Sequence, residues 1–236
     1  MAVDGFYRAD TLPLGTLVCA VSGLDKSGKT NFACTAPPPI YYHNFDVVGK
    51  AVVAKFAREK EIWIADYPYT SKDGTAAWEA AWAKFKKDFS ESVMRVAGGK
   101  GTVVVDSATE KWELSRLANF GKLTQVRPHH YGAVNAEMRE LIRLCYINPT
   151  NAVFVFKKKA VWENDQRTGR YEPAGFGDMP FLVQANLDVW WEPAGAGGGG
   201  EFHMMIKNST HNMGVAGEQL DGEMISWDTV TGMLFG

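Results

Sequence analysis

Eight residues constrain this chain more than any other stretch: Gly23, Leu24, Asp25, Lys26, Ser27, Gly28, Lys29 and Thr30. They fit G-x-x-x-x-G-K-[ST], a loop built to hold phosphate. Its glycines let the backbone curl so that successive N–H groups converge on phosphate oxygens. In that geometry the Lys29 ammonium reaches the β- and γ-phosphates, and the Thr30 hydroxyl holds Mg²⁺. The flanks suit the motif. Residues 16–22 read as a buried parallel strand. Residues 31–35 open a short helix whose N-terminus favours anions, so Asn31 joins the cradle. Pro37, Pro38 and Pro39 stop that helix. The expected cofactors are ATP and Mg²⁺.

A second signal lies about eighty residues downstream. Residues 102–107 form a β-branched apolar strand ending in Asp106. In an open parallel sheet an acid at that end sits beside the phosphate loop and can hold Mg²⁺. Further strands are expected at 40–45, 62–65 and 152–156, and helices at 47–59, 75–97, 108–117 and 131–146. The helix at 75–97 carries an aromatic stripe at three- and four-residue steps and ends at Gly98-Gly99. This alternation predicts an α/β fold, a mostly parallel sheet with helices on both faces. Residues 161–163 and 171–173 are expected to pair as a hairpin across a seven-residue loop. Strands at 187–191 and 202–207 add an antiparallel edge, residues 195–200 form a low-complexity loop, and a helix closes the chain at 225–235.

The 236 residues suit one large α/β domain, with a core at 16–192 and an acidic hairpin and closing helix at 193–236. A net charge of −2 confines any nucleic-acid site to a local patch. Cys19, Cys34 and Cys145 show no metal spacing and read as buried free thiols in a reducing compartment. With no signal sequence and no membrane-length apolar run, the expectation is a cytoplasmic protein that makes no membrane contact.

Seven pieces together resemble a family: GLDKSGKT, IYYHNFDVVGK, EIWIADYP, TVVVDSATEKWEL, HYGAVNAEMRELIR, AVFVFKKKAVW and RTGRYEPAGF. In this order, across roughly residues 16–192, the chain resembles the small RecA-like P-loop ATPases of bacteriophages, some of them described as single-strand annealing or recombination proteins. The resemblance implies a RecA-like core with strand 152–156 between the phosphate-loop strand and the strand ending at Asp106. Lys157 would then face the γ-phosphate as a sensor, and the segment from about 158 to 180 would take the place of a DNA-binding loop. It also implies a homo-oligomer, ring or filament, with a single-strand DNA-binding protein as a further partner and the host bacterial cytoplasm as the setting. RecA-like recombinases carry a catalytic Glu just after the second strand, whereas here the chain reads Phe45-Asp46. The residue that orients the attacking water is therefore open: Glu110 is preferred and Asp46 comes next.

Single-strand binders combine a basic track with aromatic platforms. Lys157, Lys158, Lys159, Arg167 and Arg170, with Trp162 and Tyr171 interleaved, offer both, against Glu163, Asp165 and Glu172, a balance of +2. Arg127, His129 and His130 extend the candidate patch. Residues 188–236 set seven acids against Lys207 alone and should repel DNA. The leading expectation is an ATPase that binds single-stranded DNA and promotes annealing or strand pairing. The alternatives are a nucleoside-type kinase using Arg167 and Arg170 as a lid, and a nucleotide-dependent oligomeric scaffold with negligible turnover.

Overall fold

The computed structural model describes residues 15–46, 48–123, 127–194 and 199–236. Among these residues nine strands form one sheet. The strands are β1 (Val18–Gly23), β2 (Ile40–Asn44), β3 (Ile62–Asp66), β4 (Thr102–Asp106), β5 (Asn151–Glu163), β6 (Gln166–Pro173), β7 (Ala185–Pro193), β8 (Gly200–Ser209) and β9 (Gln219–Asp221). Their spatial order is β3-β2-β4-β5-β1-β7-β8-β9, with β6 paired to the outer half of β5. The five strands from β3 to β1 run parallel, β7 joins β1 in parallel, and β8 and β9 add the antiparallel edge. The central position of β5 between β4 and β1 agrees with the expected order.

Alternate residues of β1, β4 and β5 enter two separate cores. Val18, Ala20, Val103, Val105, Phe154 and Phe156 pack under α3 (Thr75–Val96), α4 (Ala108–Phe120) and α5 (Pro128–Ile147). Cys19, Val21, Val104, Val153 and Val155 pack under α1 (Lys29–Thr35), α2 (Lys50–Phe56) and the closing α7 (Trp227–Phe235). A short helix α6 (Met179–Leu182) precedes β7. The aromatic stripe of α3 is buried throughout, from Trp78, Trp82, Phe85 and Phe89 to Val93 and Val96. Cys19, Cys34 and Cys145 are buried free thiols. No helix among the described residues is long and apolar enough to cross a membrane.

Several boundaries differ from expectation for identifiable reasons. Helix α2 starts at Lys50 instead of 47, because Gly49 is its N-cap; Val47 lies outside the described residues. Helix α5 begins at Pro128 instead of Tyr131. Pro suits the first helical turn, and the Arg127 N–H donates to His130 Nδ1 (3.0 Å). The largest correction concerns the hairpin. The expected seven-residue loop is a two-residue turn, with Glu163 opposite Gln166. Asn164 (φ 50°) and Asp165 (φ 60°) both adopt the left-handed conformation that a tight hairpin turn requires. Its first leg is the outer half of a central strand, since β5 runs unbroken from the sheet centre to the hairpin tip. The low-complexity loop lies largely outside the described residues, at 195–198, as does the lead-in at 1–14.

Candidate functional site

Strand β1 is buried along its whole length and delivers Gly23 to the carboxyl edge of the sheet. A Cβ at Gly23 would lie 2.3 Å from Ser27 Oγ and 2.4 Å from the Val189 carbonyl, so no side chain fits there. Gly28 caps α1 at φ 92°, a left-handed conformation that glycine adopts without strain. The buried Ser27 hydroxyl donates to the Leu24 carbonyl at 2.8 Å and closes the loop on itself. The Lys29 ammonium donates to the carbonyls of Gly23 (3.0 Å) and Leu24. Burial lowers the Lys29 pKa, and the Asp106 carboxylate opposes that shift.

Asp106 is 2% exposed at the end of β4. Thr30 Oγ1 donates to its Oδ2 at 2.7 Å, and the Tyr42 hydroxyl donates to the same oxygen at 2.5 Å. Burial raises the Asp106 pKa, and these two hydrogen bonds oppose it. Parallel pairing places Asn44, the last residue of β2, directly opposite Asp106. The Asn44 amide nitrogen donates to Asp66 Oδ1 (2.7 Å), and Lys50 Nζ holds the other Asp66 oxygen (2.7 Å). The Asn44 Oδ1 atom is left buried without a hydrogen-bond partner. The Thr30 hydroxyl and the Asp106 carboxylate, both at the cleft, are hard oxygen donors that fit Mg²⁺.

A cleft of about 530 Å³ opens over these groups. The loop residues Gly23 and Asp25 to Asn31 line it, with Asp46, Gly49, Asp106, Lys157, Lys158 and Phe202 around them; Leu24 stands 45% exposed outside the lining. Asp46 faces this cleft, its Oδ1 accepting the Val48 N–H at 3.2 Å. Glu110 does not line it. Its carboxylate is taken by Lys157 Nζ (2.6 Å) and by the Tyr69 hydroxyl (2.8 Å). Burial works against ionisation of Glu110, but these two bonds outweigh it and hold the pKa below its ordinary value. Of the two candidate acids, Asp46 is therefore the one at the cleft and Glu110 the one beside it. Lys157 is at the cleft, as a sensor requires, with its ammonium on Glu110.

The residues expected to bind DNA divide between the two faces of the hairpin. On one face Lys159 pairs with Glu172 (3.2 Å), directly opposite it in register, and Arg170 pairs with Glu163. On the other face stand Trp162, 64% exposed, and Arg167, whose guanidinium lies 5.2 Å from the Tyr171 ring centroid. Lys158 belongs with neither set. Its side chain is 16% exposed and bonds Asp188 Oδ2 at 2.6 Å, so it is no open contact for a polyanion. Neither Arg167 nor Arg170 lines the cleft at the phosphate loop, where a kinase lid would need them. Arg127 is exposed at the start of α5; the side chain of His129 lies outside the described ones. Tyr42, Asn44 and Phe202 were missed in the sequence. The parity of β2, which sends Tyr42 and Asn44 to the same side at the carboxyl end, was the available signal for the first two.

No protein-family model and no curated protein matches this chain. The fold does match a solved structure, a KaiC-like protein, PH0186, from the hyperthermophilic archaeon Pyrococcus horikoshii. The TM-score is 0.51 over 87% of this chain and 84% of the other, at 9% sequence identity. The chain has a RecA-like P-loop fold. An identity that low speaks for the fold alone.

Proposed function

We propose that this protein is an ATPase that binds ATP with Mg²⁺ and couples its turnover to single-stranded DNA. The observation that carries the nucleotide reading is the 2.7 Å bond from Thr30 to Asp106, which joins the phosphate loop to the acid of the neighbouring strand. Lys29 neutralises the β- and γ-phosphates, leaving its loop carbonyls to do so. Thr30 and Asp106 would hold Mg²⁺, which when bound would supply further neutralisation of phosphate charge. A separate slot of about 170 Å³ runs along α1 between Phe32, Phe56, Phe202 and Ile225, and its apolar walls suit the base. Asp46 orients the attacking water: of the two acids considered for that role it is the one that lines the cleft, whereas Glu110 lies outside the lining and is held by Lys157. Aspartate is one methylene shorter than glutamate, which favours slow turnover and keeps the scaffold reading as the second choice.

The DNA reading rests on the family resemblance and on the hairpin's exposed Trp162, Tyr171 and Arg167, a stacking platform with one uncompensated charge. Assembly of several copies into a ring or filament, and cooperation with a single-strand DNA-binding protein, belong to the same proposal. ADP release measured with and without single-stranded DNA tests it. Wild type should turn over faster with DNA, and Lys29→Ala should not turn over at all. Asp46→Asn should lose about 100-fold in rate, and Glu110→Gln less than that. Turnover unchanged by Lys29→Ala would remove the nucleotide site, and turnover indifferent to DNA would remove the coupling.

A further inference from the structure

A second cleft, of about 200 Å³, opens between the hairpin and strands β7 and β8. It is smaller than the ~300–1,000 Å³ typical of sites for whole drug-sized ligands, so it suits a single ring system. Its floor is apolar, with Ala20 and Phe156, and Tyr171 stands at its wall. Its polar groups are set in a fixed arrangement. The Asn186 amide nitrogen donates to the Pro180 carbonyl (3.1 Å) and to Asn208 Oδ1 (2.7 Å). The carbonyl can only accept, so it fixes which way Asn186 points, and Asn186 in turn fixes Asn208. An acceptor, Asn186 Oδ1, and donors on Asn208 Nδ2 remain on this pair of amides. A donor beside an acceptor is the pattern by which amide side chains read a base edge.

The hairpin leads into this cleft. Lys158 and Pro173, and Ala160 and Tyr171, pair across the ladder and share a side; beyond a register shift comes the Trp162–Arg167 pair, and the Arg167 guanidinium over the Tyr171 ring keeps it on that side. Lys158, Tyr171 and Pro173 line the cleft, and Trp162 continues the same side outward to the tip. This is the face without internal ion pairs. The other carries Lys159–Glu172 and Arg170–Glu163 and is neutralised. Lys207 stands exposed at the cleft's rim. Lys158 also lines the nucleotide cleft, so the Lys158–Asp188 ion pair separates the two cavities.

We propose that this cleft seats one base of a bound single strand of DNA, with Asn186 and Asn208 reading its edge and Tyr171 against its ring. The proposal rests on the DNA reading above and adds a base-selective pocket to it. A strand laid along the aromatic face places one base in the cleft and its neighbours over Trp162, while Lys207 meets the adjoining phosphate.

The test uses the full chain with fluorescein-labelled homopolymeric deoxyoligonucleotides, followed by anisotropy across a salt series. Wild type should prefer one base over the others by about tenfold, the scale of one paired edge contact. Asn208→Ala should erase that preference and keep the salt slope, because no phosphate contact is lost. Lys207→Gln should do the reverse, reducing the slope by about one phosphate contact and leaving the preference. A second measurement needs no variant: 2-aminopurine placed within the strand should be quenched on binding to wild type, by stacking on the ring. Wild type that binds no single strand even at low salt would overturn the DNA reading itself. Wild type that binds every homopolymer equally would overturn the cleft, with or without quenching of 2-aminopurine, since Trp162 alone can quench it, and would leave DNA binding to the outer hairpin.

Discussion

Lys111 is fully buried in the core beneath α3 and α5, its ammonium lying against Met138 Sδ and 5.6 and 5.8 Å from the ring centroids of Phe85 and Trp82. Ring faces attract a cation, but less than water does. Burial therefore pushes its pKa down to about 7, with Glu137 opposing. An unfolded lysine titrates near ~10.4. Between these values the unfolded chain holds the proton and the folded one does not, so stability rises with pH across that window and is lost as pH falls toward 7. Lys111→Met should stabilise the protein at pH 7 by roughly 1–4 kcal/mol. The gap between variant and wild type should shrink by up to ~1.4 kcal/mol per pH unit above 7. Urea unfolding at a series of pH values would measure it, and a pH-independent gap would show that Lys111 keeps its charge throughout. Nothing in the sequence distinguished this lysine from its exposed neighbours; only the packing of α4 between two helices does so.

At the scale of elements, one hydroxyl joins the start of α4 to the hairpin stem. Thr109, three residues past Asp106, accepts from the Lys157 N–H (3.1 Å) and donates to the Ala174 carbonyl (2.9 Å). It thus ties the start of α4 to both legs of the hairpin stem, which bond each other from Ala174 N–H to the Lys157 carbonyl (2.8 Å). Thr109→Val preserves shape and removes both bonds, leaving the Lys157 amide without its partner. The stem should lose about 1–2 kcal/mol of local stability. Hydrogen exchange at the Lys157 and Ala174 amides should then quicken by about tenfold, since ~1.4 kcal/mol is a factor of ten. Unchanged exchange would show that the strand pairing alone holds the stem. The hairpin's existence was legible from its turn residues, but its length was not. Asn164 and Asp165 were read as part of a long loop because neither is the glycine that marks such turns most clearly.

For the molecule as a whole, the parallel strands share one carboxyl edge: β1, β2 and β4 end on it, and β5 crosses it at Lys157. Ligand bound there is held by elements from both layers, so it should stabilise the whole fold. At about 100 times Kd, ATP with Mg²⁺ should add ~2.7 kcal/mol, which for a chain of this length raises Tm by roughly 5–10 °C. Asp106→Asn should keep part of the rise with ATP alone and lose the further increment from Mg²⁺. Lys29→Ala should lose both. A calorimetric scan with and without chelator separates these cases, and a full Mg²⁺ increment in Asp106→Asn would remove Asp106 from the metal site.

The phosphate loop, Asp106 and the α/β alternation were readable from the linear chain because each depends on short-range constraints. Glycine spacing, strand periodicity and a strand-terminal acid are all local. The central place of strand 152–156 came from the family resemblance. What folding added are the relations that depend on which strands become neighbours. The pairing of β2 with β4 puts Asn44 and Tyr42 beside Asp106. The crossing of α4 over β5 ties Glu110 to Lys157 and leaves Asp46 facing the cleft. The parity of the hairpin cancels half of its basic residues against its own acids, and the seating of β7 beside β1 turns Lys158 inward onto Asp188. Charges separated by thirty residues carry no sign of their pairing until the backbone brings them within reach.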